Sequence, residues 1–107
     1  MDAALVSYVP RGEGEAPTED SVRRRFEAEG LRIDRWSNRG NDYYDARMHV
    51  FCKVLHVLSG DITLSLPELG QEFRLRPGDR LELSPGVLHH AFIGPDGVSC
   101  LEGKRLL

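Results

Sequence analysis

From Gly30 onward the sequence bends at short intervals, and that spacing is what most restricts the folds open to it. Clusters of Gly, Pro, Asn, Asp and Ser fall at 38–42, 59–61, 67–70, 77–79, 84–86 and 94–97. Such residues either reach positive φ at low cost or pre-set a bend, so each cluster reads as a turn. The stretches between them, at 31–37, 43–50, 53–58, 62–66, 72–76, 80–83, 88–93 and 98–102, are short and rich in Val, Ile, Leu and Tyr. They read as strands, and short strands with turns every ~8–12 residues suit a sandwich or a barrel that closes its own edges. The fold class is therefore all-β.

One helix precedes this region. Thr18 is an N-cap candidate, Glu19 and Asp20 suit the positive end of the helix dipole, Val22 and Phe26 share a face, and Gly30 fits the position just past the helix end. Residues 11–17, with Gly, Pro and acidic side chains and no apolar period, form a surface connector ahead of it. A chain of 107 residues holds one modest core. The expected division is residues 1–30 as a segment and helix packing on the barrel, and 31–107 as the barrel, within a single domain.

Strand patterning adds detail. Phe73 to Arg76 and Leu81 to Leu83 alternate apolar with polar, giving one wet face, whereas Val54 to Leu58 is apolar on both sides apart from His56. The latter strand is expected to be covered on both faces, with a partner subunit as one cover. A homodimer is accordingly the expected assembly, two-fold symmetry being the commonest arrangement.

Charge and composition argue against several function classes. A formal net charge of −3 creates no field that gathers nucleic acid, and the basic run Arg23, Arg24, Arg25 lies among Glu19, Asp20, Glu27 and Glu29 as a solvated helix face. No apolar run approaches the ~20 residues that span a bilayer, so no membrane role is expected. The first residues lack a basic segment ahead of an apolar one, which makes the cytoplasm the expected location. Cys52 and Cys100 fit no zinc-finger or disulfide spacing and are expected to be reduced.

The chemistry-bearing residues lie in two stretches. The first runs Arg47-Met48-His49-Val50-Phe51-Cys52-Lys53 and on to Gly60-Asp61; the second runs from Pro77-Gly78-Asp79 through Ser84-Pro85-Gly86 to His89, His90 and Ala91. Together they resemble the two motifs of the cupin family. In the second motif Gly78, Gly86 and His89 stand at the family spacing, with Ser84 at the proline position and Ile93 at the asparagine position. In the first, His49 matches the second histidine and Gly60 the closing glycine, while Arg47 replaces the first histidine and Lys53 the glutamate; the opening glycine is displaced to Gly40. The resemblance implies a small single-domain cupin: a double-stranded β-helix, or jelly-roll barrel, with His49 and His89 facing each other inside.

Cupins of the ordinary kind hold a divalent metal through three histidines and a glutamate, of which only His49 and His89 match here. A side-chain period of two places Arg47 on the same face as His49, with Lys53 returning to it after a bend. Arg47 and Lys53 then make a cationic pocket for a carboxylate or phosphate, with His49 and His89 as hydrogen-bond or acid–base partners. The plainer reading leaves Arg47 and Lys53 solvated at the barrel mouth. Cys52 has the parity that points it away from Lys53, although a thiolate there would suit a metal beside the two histidines. His56 and His90 read as packing or interface histidines, Cys100 as a small buried apolar residue, and Trp36, Tyr43 and Tyr44 as core or dimer contacts.

Three functions follow. The first is binding of a small anionic metabolite through Arg47, His49, Lys53 and His89, which requires no cofactor. The second is an enzyme: a dioxygenase or isomerase with iron, manganese, nickel or zinc on an incomplete site at His49 and His89, or a metal-free acid–base catalyst. The third is a structural or regulatory barrel that dimerises through its apolar outer strand and residues 3–9. Fold alone does not choose among them.

Overall fold

A computed structural model describes residues 5–105 of the chain. Residues 3 and 4 of the segment expected to support dimerisation, and 106 and 107 of the expected barrel, lie outside the described residues. The elements in chain order are β1 (Val6–Val9), α1 (Glu19–Ala28), β2 (Arg32–Asn38), β3 (Tyr43–Arg47), β4 (Cys52–Leu66), β5 (Gln71–Leu75), β6 (Arg80–Leu83) and β7 (His89–Arg105). All strand pairings are antiparallel, and the strands curl into a jelly-roll barrel.

Two long strands form its spine. β4 and β7 pair with each other from Cys52↔Arg105 to Ser65↔His90, and each uses its other edge twice. The first half of β4 pairs with β6 and its second half with β5, while β7 pairs first with β3 and then with β2. The turn signals at 59–61 and 94–97 are therefore corners within continuous strands and not chain reversals. The register slips around Val57–Ser59 and Gly60–Ile62, and Gly60 (φ 72°) and Gly97 (φ 81°) supply the left-handed backbone the corner requires. The backbones meet there so closely that a Cβ on Gly60 would lie 1.9 Å from the carbonyl oxygen of Gly97.

The helix follows its sequence signals. Thr18 caps it with its Oγ1, which accepts from the N–H of Ser21 at 3.2 Å, and Gly30 (φ 73°) ends it. The N–H groups of Gly30 and Leu31 return to the carbonyls of Glu27 and Phe26, which closes the last turn as a Schellman motif. Val22 and Phe26 bury against Leu31, Cys52, Val54 and Leu101. The helix thus covers the outer face of β4 and β7, so the apolar run 54–58 needs no partner subunit to cover it there. Arg80 clamps the helix end to the barrel, its guanidinium hydrogen-bonding both oxygens of Glu29 at 2.7 and 2.6 Å.

The second face of β4 looks inward. Leu55 and Val57 join Ile62, Leu64, Leu66, Leu75, Leu81, Leu83, Ala91, Ile93, Val98 and Cys100 in the main core. Alternation along β4 therefore sorts Cys52, Val54 and His56 to the helix side and Lys53, Leu55 and Val57 to the barrel interior. His56 is buried beside Arg80, and burial followed by that guanidinium pushes its imidazole below the usual histidine range.

Candidate functional site

The barrel interior is not filled to its mouth. A cavity of about 210 Å³ is lined by apolar groups, Trp36, Tyr44, Leu55, Ile62, Leu64 and Ala91, and by the polar side chains of Asn38, Asp45, Arg47, Lys53, His89, His90 and Glu102. Register explains the lining. Trp36 lies opposite Cys100 and Asp34 opposite Glu102, so the parity that points Cys100 into the core also points Glu102 and Trp36 inward.

Glu102 is the residue that sequence reasoning missed, and it changes the electrostatics of the site. Its Oε1 is 3.0 Å from Nζ of Lys53, with the two side chains only 12% and 15% exposed. Its Oε2 faces Nζ of Lys104 at 3.8 Å. Lys53 does turn into the barrel, but its charge is met there by a carboxylate, so the interior is not the purely cationic pocket expected. The available signal was an acidic residue two places from Cys100, and so on the same face of the strand.

Arg47 lines the cavity from an exposed position, its guanidinium 5.4 Å from the centre of the Tyr44 ring, and it is in no ion pair among the described residues. The expected strand 43–50 stops at Arg47, after a register slip following Tyr44. The simple parity that tied His49 to Arg47 is thereby lost. His49 sits in the irregular link to β4, held by its backbone carbonyl, which accepts from the N–H of Gly86 at 2.8 Å. Its ring stacks on Phe51 at 4.6 Å and stands 5.3 Å from that of His89. The two histidines come together, although His89 alone of the pair lines the cavity.

His89 is buried and its tautomer follows from its partner. Nδ1 is 3.1 Å from the carbonyl oxygen of Val87, which can only accept, so Nδ1 carries the proton and Nε2 presents a lone pair. Burial, then the Lys53 charge, lowers the pKa of both His49 and His89, which keeps them neutral near pH 7. Nε2 of each is buried and has no hydrogen-bond partner among the described residues.

The remaining candidates separate. Cys52 is buried on the helix side and away from the cavity, where burial raises its thiol pKa. Cys100 is fully buried, its thiol pushed up to about 12 by burial. His90 reaches the cavity wall and its Nδ1 is 3.3 Å from the Tyr43 hydroxyl. Trp36 and Tyr44 pack against the main core, as expected, and also form an edge-on aromatic wall of the cavity at 6.5 Å. Tyr43 lies outside with Phe92, both about half exposed.

Known structures share this architecture. A cupin-2 domain protein from Shewanella frigidimarina superposes on 70% of this chain and 71% of its own, with a TM-score of 0.59 at 16% identity. The fold is the cupin fold. A cupin superfamily protein from Desulfitobacterium hafniense matches 100% of this chain and 84% of its own (TM-score 0.60, 15% identity). KdgF from a Halomonas species matches 97% and 84% (TM-score 0.59, 15% identity). No family model and no curated protein matches the sequence. Among the described residues no helix is long and apolar enough to cross a membrane.

A cupin barrel implies a divalent metal, and the side chains present do not fit one. Among the described residues no three His, Cys, Asp or Glu side chains group to hold an ion. His49 and His89 contribute two imidazoles, and the carboxylate that would join them is paired with Lys53. The chemistry open to this site rests on its own side chains: an unpaired guanidinium, an internal ion pair and an apolar wall.

Proposed function

We propose that the barrel binds a small organic monoanion, its carboxylate held by Arg47 and its apolar body lying along Trp36, Tyr44, Leu55, Ile62 and Leu64. The observation that carries this reading is the Lys53–Glu102 ion pair, which leaves Arg47 as the cation of the cavity wall without an anionic partner among the described residues. The wall charges balance, Arg47 and Lys53 against Asp45 and Glu102. A second negative charge on the ligand would meet no free cation, so dicarboxylates and phosphates fit less well than a single carboxylate. Arg suits that role because its planar fork donates two parallel hydrogen bonds. The apolar wall favours a ligand with a hydrocarbon or aromatic body, as in most small-molecule pockets.

A thermal-shift panel tests this. Monocarboxylic acids with apolar bodies should raise the melting temperature, since ligand at about a hundred times its Kd adds about 2.7 kcal/mol of stability. Arg47→Ala should abolish the shift. Equal stabilisation by the uncharged amides of the same acids, or no shift from any anion, would overturn the reading.

A further inference from the structure

The neighbourhood of His49 and His89 combines parts of a metal site with a cation of its own. Two imidazoles stand with ring centres 5.3 Å apart, each with a buried Nε2 that has no hydrogen-bond partner among the described residues. Paired imidazole nitrogens are half of a site for zinc, cobalt or nickel, and a carboxylate commonly completes it. Glu102 lines the same cavity as His89 and Lys53. Its two oxygens are nevertheless claimed, Oε1 by Lys53 at 3.0 Å and Oε2 by Lys104 at 3.8 Å. Lys53 lines that cavity with His89, so its charge stands against any further positive charge there.

We infer that Lys53 is the resident cation of this cavity, an ammonium tethered to the barrel that excludes a divalent metal from His49, His89 and Glu102. An entering ion would have to break the Lys53–Glu102 pair and bring a double positive charge beside an ammonium that water screens poorly. A covalently attached cation also needs no supply from solution. Both readings take the Lys53–Glu102 pair as given, and their tests read different quantities, metal affinity here and a ligand-induced melting shift there, so failure of one is distinguishable from failure of the other.

The test is titration of the chelator-stripped full chain with Co²⁺ and Zn²⁺, followed by calorimetry and by the visible absorption of bound Co²⁺. The wild type should show no one-to-one binding. Lys53→Met, which removes the charge and adds no metal ligand stronger than a thioether, should bind Co²⁺ at least about tenfold more tightly, a change of about 1.4 kcal/mol. Lys53→Glu should bind more tightly still, and adding His89→Ala should return either variant to the wild-type level. Circular dichroism confirms that each variant is folded, and Lys53→Gln carries the same expectation as Lys53→Met if methionine there unfolds the chain. Tight one-to-one binding by the wild type, or a folded neutral variant that binds no better than it, overturns the inference.

Discussion

Removing the charge of Glu102 should be among the more damaging changes a single atom swap can make in this protein. In Glu102→Gln the Lys53 ammonium, only 15% exposed, loses the carboxylate oxygen 3.0 Å away. Breaking a buried ion pair by removing one partner costs about 3–5 kcal/mol. Both side chains keep some contact with water, which places the expected loss near about 2–3 kcal/mol. Lys53→Met should cost less, about 1–2 kcal/mol, because Glu102 keeps Lys104 at 3.8 Å as a second cation. The double variant removes both charges together and should fall within about 1 kcal/mol of wild type or above it, because no charge is left unpaired. For a domain of this size each kcal/mol moves the melting temperature by about 4–8 °C. Urea unfolding of the four proteins at pH 7, with a chelator present, measures the cycle. If the single losses simply add in the double variant to within about 0.5 kcal/mol, the groups are not coupled. The electrostatic account of the cavity, including the lone position of Arg47, would then be wrong.

Gly60→Ala should destabilise by about 2–5 kcal/mol, combining a left-handed backbone that L residues resist with a Cβ driven into the carbonyl of Gly97; a loss under about 1 kcal/mol in urea unfolding would mean that the corner yields easily. Stability should also fall as pH drops below about 6.5. Burial lowers the pKa of His49, His56 and His89 in the folded state, so the unfolded chain binds protons first. Melting temperatures measured from pH 8 to 5.5 should decline, His56→Leu should flatten the slope, and a level profile would contradict the neutral buried state of these rings. Neither thiol should react with Ellman's reagent in the native protein at pH 8, because burial raises both and holds Cys100 at about 12; both should react on unfolding, and prompt native labelling of Cys100 would refute its place in the core.

What the sequence determined by itself was what local rules control. The cap at Thr18, the stop at Gly30, the period-two alternation and the dense turn residues each act within a few positions, so helix, strands and the all-β class were legible without a structure. The meeting of His49 and His89 was legible only through the resemblance of the two motifs to the cupin family, because residues 40 positions apart are brought together by strand pairing and not by local pattern. Only the tertiary structure decided which bends reverse the chain, because a glycine corner and a hairpin turn use the same residues, and pairing with a distant strand selects between them. The slip between Tyr44 and Arg47, and the end of pairing at Arg47 that leaves His49 in an irregular link, likewise belong to the β3–β7 pairing. The joining of Lys53 to Glu102 across β4 and β7 is a contact between residues 49 positions apart in sequence. Local pattern can place each of them on an inward face, but whether an inward lysine meets a ligand, a metal's donors or a carboxylate depends on what the opposite strand presents. That register brought a glutamate to Lys53 and left Arg47 without one.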